Sequence, residues 1–280
     1  MIADSHHHFW DPNQAEYPWM TGEYEQLKRP FGPSELAPLL EAAGVAKTVV
    51  VQARQDLSET RSLLSMAAEY AWLAGVVGWV DLTDPDLAST LAEIRSGPGG
   101  GALVGVRHVV HDEPDAHWLM RDDVIAGLKV VADAGLAYDL LVRSRELPAA
   151  TETARLVPNL TFVIDHMAKP AISKREFEPW AERLGAIASL PNVRCKISGL
   201  VTEADWKSWR RSDFERYVSM TVELFGPERI MWGSDWPVCT VAASYDQVLA
   251  MSRDLLEEIV GNDLAHVLGG CAMETYGIES

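Results

Sequence analysis

Eight short apolar runs alternate with eight amphipathic stretches along this chain. That alternation narrows the possible folds more than any other feature. The runs lie near residues 2–8, 47–53, 74–80, 102–110, 137–143, 160–166, 193–199 and 229–235. Thr48-Val49-Val50-Val51 and Thr161-Phe162-Val163-Ile164 are nearly continuous in hydrophobicity, as strands covered on both faces are. Helix-like segments fall near 33–43, 57–71, 84–95, 121–134, 146–157, 175–189, 213–225 and 244–259. Pro33-Ser34-Glu35 and Asp56-Leu57-Ser58-Glu59 carry helix-start signals, and Asp84-Pro85 puts a proline at an expected first helical position. Gly44 and Gly135 are placed to stop two helices. Strand then helix, repeated eight times, predicts a single (β/α)8 TIM barrel over residues 1–280, with some distortion allowed. An open doubly wound sheet is the alternative, but no Gly-rich phosphate loop follows the first strand.

Charge and cysteine usage narrow the partners. The net charge is −17, which disfavours nucleic acid and anionic membrane surfaces. No apolar run approaches the roughly 18–20 residues needed to span a bilayer. No charged leader opens the chain, so an export signal is not expected. Cys195, Cys239 and Cys271 are odd in number and lack CxxC spacing, so they are expected as free thiols in the cytoplasm. A homo-oligomer is left open. Gly97-Pro98-Gly99-Gly100-Gly101 is a turn, since neither Lys-Ser/Thr nor a helix follows it.

The candidate chemistry gathers at strand ends. Alternate side chains of a strand share a face, so His6 and His8 project together and His7 projects away. Two such imidazoles are a metal-ligand pair or a pair of hydrogen-bonding groups. In a barrel the carboxyl ends of all strands meet at one mouth. Gln52-Ala53-Arg54, Arg107-His108, Asp165-His166, Lys169, Lys196, Ser198 and Asp235 all fall near such ends. Asp235 follows the apolar Ile230-Met231-Trp232, where an idle acid is costly, so it caps a helix or does chemistry. Barrel closure would set it beside His6 and His8. Residues 9–32 form a long loop after the first strand, carrying Trp10, Tyr17, Trp19, Tyr24 and Phe31. These aromatics either wall a substrate or pack the loop onto the rim.

Several motifs resemble one family closely. They are Asp4-Ser5-His6-His7-His8-Phe9-Trp10-Asp11-Pro12, Val50-Val51-Gln52-Ala53, Gly105-Val106-Arg107, Ile164-Asp165-His166-Met167-Ala168-Lys169-Pro170, Lys196-Ile197-Ser198-Gly199 and Trp232-Gly233-Ser234-Asp235-Trp236-Pro237. In these the chain resembles the amidohydrolase superfamily, in the lactonase branch that includes L-fuconolactonase, L-rhamnonolactonase and 2-pyrone-4,6-dicarboxylate lactonase. The resemblance spans nearly the whole length. It implies a (β/α)8 barrel with His6, His8, His166 and Asp235 at the reaction centre. Binuclear members use a modified Lys on the fourth strand and a His on the fifth. Here the fourth offers Arg107 and His108, and the fifth has no His. One divalent ion, zinc or manganese, held by His6, His8, Asp235 and His166 is therefore the maximum, and metal-free catalysis stays equally open.

The expected reaction is hydrolysis of a small sugar (aldono-) lactone. Water attacks the carbonyl, and Asp235 takes its proton and returns it to the departing alcohol. Arg54, Arg107, Lys169 and Lys196 are expected to bind substrate or the developing oxyanion. Trp10, Trp19 and Trp236 are expected to stack on the sugar ring. The alternatives are a metal-dependent decarboxylase on the same barrel and a hydrolase of pyrone or muconolactone type. His111 and His117 are expected at the surface and Cys239 as a packed thiol. Residues 262–277 are expected to form a final helix and a tail that closes the barrel bottom, with His266 on the helix surface.

Overall fold

The computed structural model describes residues 1–279. Eight parallel strands stand in sequence order: β1 (Ile2–His7), β2 (Val45–Val51), β3 (Leu73–Gly78), β4 (Leu103–His108), β5 (Ala137–Leu140), β6 (Phe162–Ile164), β7 (Val193–Ile197) and β8 (Ile230–Trp232). Helices return each chain segment to the next strand: α1 (Pro33–Ala43), α2 (Leu57–Glu69), α3 (Leu87–Ser96), α4 (Asp122–Asp133), α5 (Leu147–Leu156) and α6 (Trp180–Ala188). A short α7 (Leu200–Glu203), then α8 (Ser212–Phe225), α9 (Tyr245–Val260) and α10 (Cys271–Tyr276) complete the set. The predicted TIM barrel is the fold. Among the described residues, no helix is long and apolar enough to cross a membrane. All three cysteines are free and buried.

The boundaries differ where local chemistry competes with the helix or the ladder. Pro85 is not at a helix start, because α3 begins at Leu87. Asp84 Oδ1 instead accepts from the Asp86 N–H at 2.9 Å and forms a turn ahead of the helix. The helix expected from 175 starts at Trp180, since Arg175 is left-handed with φ 57°. β6 and β8 are three residues each, because the chain leaves the ladder where the site begins. Gly44 stops α1 in the left-handed conformation, φ 67°, as expected.

Two apolar cores lie on either side of the sheet. The larger fills the space between sheet and helices. The smaller is the barrel interior, where Val49, Val51, Val77, Val163 and Met231 meet Cys271, Ala272 and Tyr276 of α10. The C-terminal segment therefore closes the bottom, as expected.

The β1–β8 seam is stitched by a few specific bonds in place of a regular ladder. The His8 N–H donates to Trp236 O at 2.7 Å, and the Asp235 N–H to His6 O at 2.8 Å. Ser5 Oγ donates to Trp232 O at 2.6 Å. Asp4, fully buried, accepts from the Ser234 and His6 N–H groups at 2.9 and 3.1 Å and from the Tyr245 hydroxyl at 3.1 Å. These bonds leave Asp235 directly beside the histidines of β1.

Candidate active site

Three imidazoles and one carboxylate converge at the barrel mouth. Asp235 Oδ1 lies 3.9 Å from His6 Nε2, 3.5 Å from His8 Nε2 and 3.9 Å from His166 Nε2. His6 Nε2 and His8 Nε2 are 3.1 Å apart. All four residues are buried. Gly233 and Gly199 allow this approach. A Cβ on Gly233 would stand 2.7 Å from His6 Cβ, and one on Gly199 2.7 Å from His166 Nδ1.

His166 is delivered by an unusual backbone. His166, Met167, Ala168 and Lys169 all have positive φ, 54°, 53°, 58° and 50°. Left-handed residues other than glycine cost about 1–2 kcal/mol each, so the surroundings must enforce the turn. Met167 and Ala168 are fully buried, and Trp180 Nε1 donates to Met167 O at 2.7 Å. The turn points His166 at Asp235 and swings Lys169 to the cavity wall. Asp235 itself is left-handed, φ 58°.

Each ring has a partner behind it. His8 Nδ1 is 2.7 Å from Val51 O. A carbonyl only accepts, so Nδ1 carries a proton and Nε2 is the nitrogen turned toward Asp235. His166 Nδ1 meets Ser198 Oγ at 2.8 Å. His6 Nδ1 lies 3.2 Å from Asp165 Oδ1 and 3.2 Å from Lys196 Nζ. Burial holds His6 and His166 well below the usual imidazole range, against the pull of Asp165 and Asp235 respectively, so both are neutral near pH 7. Burial would raise Asp235, but His166, His8 and Lys169 outweigh it and keep the carboxyl low and ionised. Neutral imidazoles and one carboxylate are a donor set suited to zinc or manganese. The two Nε2 atoms facing each other at 3.1 Å fit a shared cation, and two groups, His6–His8–Asp235 and His6–Asp165–His166, have ligand atoms within 4.8 Å of one another.

Above the four residues opens a cavity of ≈ 230 Å³. His8, His166 and Asp235 reach its floor, with Arg107 and Lys169 on the wall. Lys169 Nζ pairs with Glu203 at 2.8 Å, and Arg143 approaches the same carboxylate at 3.6 Å. Trp19 and Tyr24 of the first loop, with Val109, Leu141 and Val238, supply the apolar side. Trp19 is fixed by a 3.1 Å bond from Nε1 to Ala53 O.

Other expected contacts lie elsewhere. Trp10 is buried under the first loop, donating Nε1 to Leu27 O and Arg29 O at 3.1 and 3.0 Å. Trp236 packs edge-on against Phe9 and Phe31. Neither indole lines the cavity, and Trp19 alone of the three does. Lys196 is fully buried beneath His6, bound to Asp139 and Asp165, and does not reach the cavity. Arg54 lines a separate cavity under the first loop, and its Nη2 binds Asp56 and Ser58 at 3.1 Å each. His111, expected at the surface, lines the cavity mouth, where burial with Lys169 and Arg143 nearby lowers it to about 4. His117 is exposed, as expected. Tyr24, one of the first-loop aromatics noted from sequence, does line the cavity, whereas Arg143 and Asp139 are structural additions to the residues singled out from sequence.

The wall next to Arg54 carries a pH-sensitive support. Glu59 Oε2 accepts from the Ala53 and Arg54 N–H groups at 2.9 Å each, holding the turn that lines the cavity. Burial pushes this carboxyl up from 4.5 to about 7. The folded protein therefore keeps a proton that the unfolded chain has lost. The associated stability is complete below about pH 4.5 and is lost as pH rises through about 7. Glu59→Gln removes the titration. In urea unfolding, the stability of the native protein relative to this variant should fall by up to about 3 kcal/mol between pH 4.5 and pH 8. A constant difference would refute the buried acid.

The amidohydrolase sequence model matches residues 3–278. The chain belongs to the amidohydrolase family. This amidohydrolase is 37% identical to an L-fucono-1,5-lactonase of Burkholderia multivorans, over 98% of its own length and 95% of that protein's. It is 38% identical to an L-fucono-1,5-lactonase of Burkholderia ambifaria, covering 99% and 95% of the two chains. A crystal structure of an amidohydrolase from B. multivorans with bound zinc matches with a TM-score of 0.93 at 37% identity, covering 100% of both chains.

Proposed function

We propose that this amidohydrolase opens the ring ester of a sugar lactone of the deoxyhexonolactone class. The observation that carries the reading is the convergence of His6, His8 and His166 on the ionised Asp235 at the floor of a small cavity. The two L-fucono-1,5-lactonases, similar over nearly the whole chain, supply the substrate class.

Asp235 is the general base. It takes a proton from the attacking water and returns it to the departing ring oxygen, a contribution of about 10²–10⁴-fold. Arg107 and Lys169 stand on the wall where an oxyanion would form, and one such donor contributes about 2.7–4 kcal/mol. Trp19 and Tyr24 exclude water and cover the apolar face of the ring. His6, His8, His166 and Asp235 would hold a single divalent ion. When bound, the ion lowers the pKa of a water to about 7 and polarises the carbonyl.

A panel of aldono-1,4- and 1,5-lactones followed with a pH indicator tests both parts. Turnover of at least one deoxyhexonolactone is expected, falling at least about tenfold after chelation and returning with zinc or manganese. Turnover that chelation leaves untouched refutes the ion. A panel with no hydrolysis, together with carbon dioxide release from a hydroxybenzoate, overturns the lactonase reading.

A further inference from the structure

The cavity wall carries three Lys and Arg side chains, Arg107, Arg143 and Lys169, and each of them faces a carboxylate. Arg107 Nη1 donates to Asp165 Oδ2 at 2.9 Å, and both side chains are buried. Lys169 Nζ donates to Glu203 Oε1 at 2.8 Å, and Arg143 Nη1 lies 3.6 Å from Glu203 Oε2. The lining adds two acids, Asp112 and Asp235, and no further Lys or Arg. Glu203 closes α7, the short helix that follows β7, and does not itself line the cavity. It stands behind Lys169. The two side chains are 13% and 15% exposed, so water and salt screen the pair weakly.

This pairing decides what the wall can recognise. An ammonium has three N–H donors, and Glu203 uses one of those on Lys169. The others can serve a hydroxyl or carbonyl oxygen of a neutral sugar ring. A carboxylate on the substrate meets a different wall. The charge that would attract it is already taken, and Glu203 repels it. In a cavity of ≈ 230 Å³ such a group has little room to sit elsewhere.

We propose that Glu203 is a specificity-determining residue that reserves this cavity for lactones without a carboxylate substituent. It acts through Lys169 and through its own charge, and touches neither the ring ester nor the attacking water. The role rests on the lactonase reading for the rates it expects, but not for the binding preference.

Two matched lactones isolate the charge: a 6-deoxyhexonolactone and the hexarolactone of the same ring and stereochemistry, with a methyl and a carboxylate at C6. The native protein should favour the neutral lactone by at least about 100-fold in kcat/KM. Glu203→Gln keeps the shape and removes the charge. Its kcat/KM for the hexarolactone should rise about tenfold, mostly through KM, while that for the neutral lactone falls. A loosened fold cannot produce the gain. Glu203→Asp keeps the charge and should keep the preference. Arg143→Gln, at the half-exposed mouth, removes a cation and leaves Glu203 in place, so the preference should widen by about threefold.

A native protein that turns over both lactones equally overturns the proposal. So does a Glu203→Gln protein with the native preference, or a Glu203→Asp protein that loses it as fully as Glu203→Gln. Should Glu203→Gln fail to fold, an Arg143→Gln preference that stays put or narrows does the same. The corresponding ring lactams, which are not hydrolysed, repeat the comparison by calorimetry. Glu203→Gln should bind the carboxylate-bearing lactam about tenfold more tightly than the native protein does. A native protein that hydrolyses neither lactone sinks the lactonase reading, while the lactam affinities still decide the role of Glu203.

Discussion

Asp235→Asn is expected to lower kcat by about 10³-fold with the fold intact. The side chains are nearly isosteric, and the seam bond from the Asp235 N–H to His6 O belongs to the backbone. Asparagine tolerates the left-handed conformation at this position, φ 58°, as well as aspartate does. What disappears is the negative charge that faces the three imidazoles and, on the proposed mechanism, the acceptor of the water proton. Circular dichroism and Tm should be near native while lactone hydrolysis is close to background. A variant with near-native turnover would remove Asp235 from the chemistry.

Lys196→Met should act on stability more than on substrate binding. The ammonium sits between Asp139 and Asp165, both fully buried. Burial raises the Asp139 carboxyl, whereas Asp165 is held well below the usual range because Lys196, His6 and Arg107 outweigh burial. Removing the cation leaves two carboxylates in the barrel interior without their shared partner. Breaking such a group costs about 3–5 kcal/mol, or roughly 10 °C in Tm for a chain of this size. Adding Asp139→Leu to the same protein removes the orphaned acid and should recover part of the loss, with Asp165 still paired to Arg107. A Lys196→Met protein with native Tm and a raised KM would restore the substrate-contact role expected from sequence.

Strand positions were legible because each strand is a compact apolar run between helix-start and helix-stop signals. The meeting of His6, His8 and Asp235 followed from one further premise, closure of the first strand against the last. The roles of Lys196 and Asp139 were within reach of the same reasoning. Cys195 and Ile197 pack toward the helices, as do Tyr138 and Leu140. Two-residue alternation then turns Lys196 and Asp139 into the barrel, where opposite charges must pair. Tyr276, whose hydroxyl donates to Asp139, carried no such signal, since that partner lies 137 residues earlier. His111 and Arg143 sit outside regular strands, where no periodicity reports direction. Trp10 and Trp236 were misassigned to the substrate wall because aromatic content does not distinguish a ring that faces a cavity from one that anchors a loop.

The stitched seam has a consequence for biosynthesis. His6 and His8 precede Asp235 in the chain by 229 and 227 residues. Two of the bonds that close the seam are made by the backbone of His6, His8, Asp235 and Trp236 themselves. A chain that stops before Asp235 keeps His6 and His8 but lacks the carboxylate that faces them, however many of its strands have paired.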